Sequence, residues 1–172
     1  MALREIVKIK SDTLRKKCKT VKCLTKRDKE LIEDMFETMY DANGVGLAAP
    51  QIGVLKRIIV VDIYDEEIPP FAMINPEIIE YGEQIEIDYE GCLSIPGYRG
   101  EVGRPTYVKV KFNDEEMNEC VMEAEGFLAR ALCHEIDHIN GYMYIDRLVS
   151  GIETNEGEKA QLPDDYYRKL ED

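Results

Sequence analysis

The sequence predicts an α+β arrangement in which two helices are set apart from a group of short strands. Apolar residues recur with helical period over residues 25–43 and again over residues 126–140. Between these segments lie several short runs rich in β-branched residues. Two of these runs, 107–112 and 117–125, are joined by Asn113-Asp114, which predicts an antiparallel hairpin.

Length and composition are those of an ordinary soluble globular protein. The chain has 172 residues, of which 44% are hydrophobic and 33% are charged. This length predicts a single domain, which we place at residues 1–150, followed by an acidic tail at 151–172 that forms no separate domain. The net charge of −13 argues against DNA or an anionic membrane as a partner, because both repel an acidic surface.

Targeting signals and cysteine spacing favour the cytosol. No apolar run approaches membrane-spanning length, and the first residues lack the apolar centre of a signal peptide. The five cysteines are odd in number and fit no zinc-finger spacing. We therefore expect a protein that works in a reducing cytoplasm.

The individual elements follow from local signals. Thr25 is placed to cap the first helix, and Asn43-Gly44 to end it. The Asn140-Gly141 pair ends the second helix in the same way. The remaining predicted elements are strands at 57–63, 71–76, 78–87 and 142–145 and a loose tail with one helical turn near 163–167.

A glycine-rich stretch, Gly44-Val-Gly-Leu-Ala-Ala-Pro-Gln51, follows the first helix. It lacks the Lys-Ser/Thr pair of a phosphate loop, and the dinucleotide-binding glycine pattern fails at Ala49. Its small apolar residues suit either a buried turn between helix and strand or a close approach of the backbone to a ligand. Composition alone leaves both open.

The second helix carries the motif H-E-x-x-H at His134 to His138. Residues four apart lie on one face of a helix, so the two imidazoles can bind one metal ion, and Glu135 remains free to move a proton. A chance pairing is the plainer alternative. The metal interpretation is favoured because these are the only two histidines of the chain.

A cysteine in Glu90-Gly-Cys-Leu-Ser94 is a candidate third ligand. A lone cysteine is usually an inert buried thiol, but a thiolate at Cys92 would complete a three-ligand site with one position open. Sulfur and imidazole ligands suit zinc or ferrous iron, and the residues do not choose between them.

Together, these three motifs resemble the signature motifs of the peptide deformylase family in its short-spacing bacterial form, over about residues 3–148. The resemblance implies antiparallel sheets around a central metal-bearing helix. It implies Cys92, His134 and His138 as metal ligands and Glu135 as the catalytic carboxylate. The side chain of Gln51 and the backbone N–H of Leu93 would stabilise the reacting carbonyl. The substrate peptide would be held by Val45, Gly46, Gly91 and Arg99.

The function implied by this resemblance is removal of the formyl group from the N-terminal formyl-methionine of nascent peptides. The family favours Fe²⁺, with Zn²⁺, Ni²⁺ or Co²⁺ as substitutes. We expect a monomer whose transient contact with the ribosome does not use the acidic tail. Cys133, next to the first histidine, is expected not to ligate, and Arg130 lies near the expected side-chain pocket, where it bears on substrate preference.

Two other functions compete with this interpretation. A zincin-like metalloprotease also carries H-E-x-x-H, and its third ligand would have to be a downstream glutamate such as Glu153, Glu156 or Glu158. A closed structural metal site would need a fourth protein ligand, for which Cys133 or Cys120 is available. Neither alternative explains the motifs at 44–51 and 90–94.

Overall fold

The two predicted helices are confirmed in the computed structural model, which describes residues 2–168. Helix α1 spans Lys26–Asp41 and helix α2 spans Gly126–Ile139. Thr25 caps α1: its hydroxyl accepts from the Asp28 N–H, and the Asp28 carboxylate accepts from the Thr25 N–H. Across residues 2–168, no helix is both long and apolar enough to cross a membrane.

The strands form two antiparallel sheets. In chain order they are β1 Gly46–Ala48, β2 Ile58–Val61, β3 Phe71–Tyr81, β4 Ile85–Cys92, β5 Ile95–Pro105, β6 Tyr107–Asn113, β7 Glu119–Glu125 and β8 Glu153–Thr154. Five strands pair in the order β1-β2-β3-β6-β7, and three pair in the order β4-β5-β8. The predicted hairpin is confirmed as β6–β7.

The two helices lie on opposite faces of the larger sheet, and strand β2 shows why. Side chains alternate between the faces of a strand, so neighbouring residues of β2 enter different cores. Ile59 and Val61 pack in the core that contains Leu132 of α2. Ile58 and Val60 pack in the core that contains Met35 of α1. Helix α2 also contacts strand β5, and its Arg130 bonds Glu90 of β4, so it lies between the larger sheet and the smaller β4–β5 sheet.

Several predicted strand boundaries were wrong. Residues 71–81 form one strand rather than two, because the pairing of β3 with β6 shifts between Ile74 and Glu77, and Pro76 at this irregularity removes no regular ladder hydrogen bond. Strand β4 then begins at Ile85. The sequence also failed to predict β5, whose three glycines and two prolines conceal its pattern.

The segment that was predicted as a strand at 142–145 is also different in the structure. It forms a 3-10 turn at Tyr144–Arg147. The Asp146 carboxylate accepts from the Met143 N–H at 2.8 Å and so closes the turn locally, where a strand would need a partner.

The end of the described chain is packed rather than loose. Strand β8 adds to β5, and a 3-10 turn follows at Asp164–Tyr166. Ile152 and Leu162 are each only 4% exposed, in a third core that also contains Tyr144. Residues 169–172 of the predicted tail lie outside the described residues.

Candidate metal centre

Three side chains from two elements converge beside helix α2. His134 and His138 project from α2, and Cys92 ends strand β4. One ligand atom from each lies within 4.8 Å of the others, and the Cys92 Sγ is 3.3 Å from the His138 Nε2. Of the described residues, these form the group of histidine, cysteine and carboxylate side chains able to hold a metal ion. The glutamates of the metalloprotease alternative are not among them.

A buried carboxylate fixes the orientation of His134. Nδ1 of His134 donates to the Glu90 Oε1 at 2.9 Å, which turns Nε2 away from Glu90. Glu90 is in turn bonded by Arg104 through two hydrogen bonds of 2.9 and 3.0 Å and by Arg130 at 2.8 Å. Burial alone would raise the pKa of Glu90, but hydrogen bonds from His134 and Arg104 hold it well below its usual range. Glu90 is therefore a carboxylate that accepts from His134.

The carboxyl group of Glu135 lies beside these ligand atoms. Its Oε1 is 3.7 Å from the His134 Nε2, and its Oε2 is buried with no hydrogen-bond partner among the described residues. Burial raises the pKa of Glu135 to about 7, with His134 opposing this and Glu90 adding to it. A carboxyl group with this pKa can both accept and release a proton near neutral pH.

Gly46 leaves the space that Glu135 occupies. A Cβ at position 46 would lie 2.9 Å from both Cγ and Cδ of Glu135, which is closer than van der Waals contact allows. This close packing explains one glycine of the 44–51 stretch without any need for unusual backbone angles. The stretch itself is strand β1 followed by a 3-10 turn at Ala49–Ile52.

Gln51 is fully buried with its amide nitrogen directed at the cysteine. Its Nε2 donates to the Cys92 Sγ at 3.5 Å and to the Ser94 Oγ at 3.2 Å, and its Oε1 accepts from the Ala48 N–H at 3.0 Å. The last bond fixes which end of the amide faces Cys92. Ser94, which is 0% exposed, was not recognised as a site residue from the sequence.

A cavity of about 580 Å³ opens over this cluster. Its walls include His134, Glu135, Cys92, Leu93 and Gly91. Gly91 lies where the pairing of β4 with β5 shifts register, between the Glu90 and Cys92 pairs. Such an irregularity leaves backbone groups unpaired within the ladder. The cavity can therefore present backbone donors and acceptors to a ligand.

The opposite wall of the cavity is the edge strand β1. Val45 uses its carbonyl inside the sheet, where it accepts from the Asp62 N–H at 2.9 Å. Because pairing alternates along an antiparallel strand, the backbone N–H and C=O of the next residue, Gly46, point to the other edge of β1. That edge has no further strand in the described structure and borders the cavity.

The two arginines considered from the sequence lie in different places. Arg99 is not part of the cavity wall; its Nε donates to Glu153 at 2.6 Å, and its guanidinium lies 4.5 Å from the centre of the Tyr89 ring. Arg130 does border the cavity, but it is 7% exposed and its nitrogens bond Glu90 and two backbone carbonyls. Arg130 therefore has a structural role in orienting Glu90.

Cys133 lies away from the ligand group. It is buried in the core between α2 and the larger sheet, and burial raises the pKa of its thiol to about 11. A thiol in this state is a poor metal ligand, since metals bind the thiolate.

The residues present fit a bound divalent cation. The pKa of His134 is raised despite its burial, because Cys92 and Glu90 accept hydrogen bonds from the ring, so a positive charge is favoured here. Burial and the charge of His134 lower the pKa of His138, which favours the neutral imidazole that binds metal. A metal ion bound by one sulfur and two nitrogens from three residues would keep a coordination position for water or substrate.

The chain is similar in sequence and in fold to known deformylases. Residues 3–153 match the family described as polypeptide deformylase. Peptide deformylase 1 of Clostridium acetobutylicum is 53% identical over 148 residues, covering 86% of this chain and 96% of that protein. Peptide deformylase of Agathobacter rectalis is 49% identical over 162 residues, which cover 94% of this chain and 99% of that protein. The crystal structure of the Thermotoga maritima peptide deformylase superposes with a TM-score of 0.83 at 40% identity, covering 87% of this chain and 100% of that one.

Proposed function

The chain belongs to the polypeptide deformylase family, and on that premise we propose that Cys92, His134 and His138 hold a catalytic ferrous ion next to Glu135. The chain is a hydrolase that removes the formyl group from the N-terminal formyl-methionine of newly made polypeptides and releases formate. The observation that carries the proposal is the convergence of these three ligand atoms within 4.8 Å beside a buried carboxyl group.

A bound divalent ion would act as a Lewis acid that lowers the pKa of a water molecule and polarises the formyl carbonyl. Glu135 accepts the proton of the attacking water on Oε1, which lies 3.7 Å from the His134 Nε2, and later donates it to the leaving amine nitrogen. Its pKa of about 7 suits both steps. Burial of Glu135 excludes competing bulk water from this proton transfer.

Two hydrogen-bond donors are assigned to the oxygen of the formyl group. Gln51 has its Nε2 directed to Cys92, and the backbone N–H of Leu93 follows Cys92 in the chain. Donors of this kind stabilise the negative charge that develops on the oxygen, and removing one typically costs about 3 kcal/mol of transition-state stabilisation.

The substrate peptide is assigned to the space between two backbone edges. Gly46 presents unpaired backbone groups from β1, and Gly91 lies at the irregularity of β4 across the cavity. An extended peptide can add to such edges as an extra strand. Val45 borders the cavity next to Gly46 and is assigned to the same peptide-binding edge. Arg99, which is held by Glu153, is assigned to the part of the substrate peptide that follows its first residues.

The activity is tested by measuring formate released from a formyl-methionyl tripeptide, with the acetyl-methionyl tripeptide as the matched control. We expect formate from the first peptide, no acetate from the second, and no cleavage between residues of either. Internal cleavage without formate would instead support a metalloprotease.

The identity of the metal is tested separately on protein purified without oxygen. Elemental analysis should give iron at about one ion per chain, bound by sulfur and imidazole ligands that suit this metal. Zinc as the main metal in active anaerobic protein would contradict the iron assignment and leave the deformylase activity intact.

We also propose a cytoplasmic monomer that meets its substrate at the ribosome without using the acidic tail. Residues 151–172 contain seven acidic and three basic residues, a net charge of −4, which RNA phosphates would repel. Light scattering of the purified protein tests the monomer. Ribosome sedimentation tests the contact, and neutralising Asp164 and Asp165 to asparagine should not weaken it.

A further inference from the structure

Charge is distributed very unevenly along the chain. Residues 1–29 contain eleven basic and three acidic residues, a net charge of +8, while the remaining 143 residues carry −21. The overall charge of −13 therefore does not describe the surface formed by the N-terminal segment. The segment around Cys18 runs against the end of α2, where the Cys18 N–H donates to the Ile139 carbonyl at 2.8 Å.

Part of this segment borders a second cavity, which we name the basic pocket. The basic pocket has a volume of about 450 Å³, and its charged side chains are Lys17, Arg57, Arg147, Arg168, Glu77 and Asp137. Four cations thus face two carboxylates. The charge of Asp137 is already neutralised by ion pairs with Arg104 and Arg147. The pocket consequently carries net positive charge on an otherwise acidic protein.

Arg57 gives the basic pocket a cation with no carboxylate bound to it. None of the ion pairs formed within residues 2–168 involves Arg57. Its Nη1 donates to the Ile139 carbonyl at 3.1 Å, which fixes the guanidinium at the end of α2. A half-buried guanidinium that is positioned by a backbone carbonyl retains donors for an anion.

Aromatic rings accompany the cations. Tyr81 borders the basic pocket and is 60% exposed. Tyr142 also borders it, with the guanidinium groups of Arg147 and Arg168 at 4.8 and 4.1 Å from its ring centre. Phosphate-binding cations next to an exposed aromatic ring are the two components of a single-stranded nucleic-acid site.

We propose that Lys17 and Arg57 of the basic pocket bind a phosphate group of single-stranded RNA, with Tyr81 stacked on an adjacent base. Arg168, the cation that comes from the tail, is held by the Gly141 carbonyl and the Tyr142 ring and is not assigned to the phosphate. This inference rests on the proposed function, because a deformylase that meets nascent chains at the ribosome works next to exposed RNA. The basic pocket uses Ile136, Asp137 and Asn140 of α2, whereas the cavity over the metal centre uses Arg130, His134 and Glu135. Within residues 2–168, no residue borders both cavities, so bound RNA leaves the substrate cavity open.

The test measures RNA binding directly. A fluorescein-labelled single-stranded RNA of twelve nucleotides is titrated with the metal-loaded full chain, and fluorescence anisotropy is recorded at 50 and 200 mM salt. Lys17→Glu removes a phosphate contact and should weaken binding about tenfold at low salt and reduce the salt dependence by about one phosphate. Tyr81→Ala should weaken binding by about fivefold to a hundredfold, the usual effect of one stacked base.

Lys159→Glu is the matched control, since it makes the same charge change at an exposed residue outside both cavities. The affinity of Lys159→Glu for RNA should be within about twofold of that of the unaltered chain if binding depends on the position of the charge rather than on the net charge of the protein. All three variants should keep the rate of formate release from the formyl-methionyl tripeptide. If the unaltered chain released no formate from this peptide, the proposed function would be wrong, and the RNA-binding result would stand separately.

Three results would overturn the RNA proposal. The first is no binding by the unaltered chain at 50 mM salt. The second is an equal loss in Lys159→Glu and Lys17→Glu, which would reflect net charge only. The third is binding to vesicles of phosphatidylglycerol that is stronger than binding to RNA and is lost in Lys17→Glu, which would assign the basic pocket to a membrane surface.

Discussion

Glu90 accepts a hydrogen bond of 2.9 Å from Nδ1 of His134, and this bond determines which nitrogen of the ring can bind a metal ion. Because Glu90 is ionised, Nδ1 keeps its proton, and Nε2 is the nitrogen that can give up its proton and bind a metal ion. Carboxylate–histidine pairs of this kind orient the ring and increase its basicity toward the metal. Arg104 and Arg130 hold the carboxylate in place.

Replacing this carboxylate tests its role as a positioning group. Glu90→Gln keeps the shape of the side chain but removes the charge that pairs with Arg104 and Arg130. We expect metal affinity to fall about tenfold to a hundredfold, as measured by competition with a chelator. The free energy of unfolding should fall by about 3–5 kcal/mol, because two buried guanidinium groups lose their anion.

Glu83→Gln provides the control, since Glu83 is exposed and outside this network. It should match the unaltered chain in both measurements. Normal metal affinity in Glu90→Gln would mean that His134 is oriented by its helix alone.

Gly46 should be required because of the space it leaves for Glu135. In Gly46→Ala the new Cβ would lie 2.9 Å from the Glu135 side chain and displace it. A displacement of about 1 Å at a reacting group typically costs about a hundredfold in rate, so kcat/KM should fall by about that factor. Gly151→Ala is the control, because a Cβ there meets no atom within 4 Å. Full activity of Gly46→Ala would show that the Glu135 carboxyl group need not occupy its present position.

Glu135→Gln should retain metal and lose turnover. Glutamine preserves the size of the side chain, but it cannot accept the proton of the attacking water. A residue of this kind typically contributes about two to four orders of magnitude to the rate. Formate release and metal content are measured on the same sample, with Glu125→Gln at an exposed site as the control. Near-normal turnover at full metal occupancy would remove Glu135 from the mechanism.

Cys92 should be the thiol that limits the lifetime of the iron enzyme in air. A thiolate bound to iron is readily oxidised, whereas burial raises the pKa of the Cys18 and Cys133 thiols to about 11 and keeps them protonated. The nickel-loaded protein should lose activity more slowly than the iron-loaded protein. Mass spectrometry should locate the added oxygen on Cys92, with exposed Cys23 as the internal comparison. Equal inactivation of both metal forms would contradict this prediction.

The sequence predicted best where a pattern is local. The period of α1 and α2 and the alternation of β6 are visible in the chain itself, and all three elements are confirmed. Fixed spacing also predicted that His134 and His138 share a helix face, and the structure brings Cys92 to them.

Contacts between distant residues could not be predicted in this way. Glu90 belongs to a motif that was recognised, but its bonds to Arg104 and Arg130 join residues 14 and 40 positions away. Strand β5 was missed because its pairing with β4, rather than its own alternation, determines its conformation. The basic pocket was hidden by the overall charge, because its cations come from residues 17 to 168.

The packing of the C-terminal segment leads to the last prediction. Leu162 is 4% exposed in the core that contains Tyr144, and the Tyr144 ring is stacked on His134 with 6.2 Å between ring centres. The segment therefore supports the metal helix from the side of the smaller sheet. Leu162→Ala removes buried methyl groups and leaves a cavity, so the free energy of unfolding should fall by about 2–5 kcal/mol.

Urea denaturation followed by circular dichroism measures this change. Leu3→Ala is the matched control, because Leu3 is 55% exposed, and its change should stay within about 0.5 kcal/mol. The metal ligands keep their positions in folded Leu162→Ala, so its formate release at low temperature should remain near normal while its midpoint of denaturation falls. If Leu162→Ala is as stable as Leu3→Ala, the packing of Leu162 contributes nothing to the free energy of unfolding, and the proposed support of the metal helix by this segment is wrong.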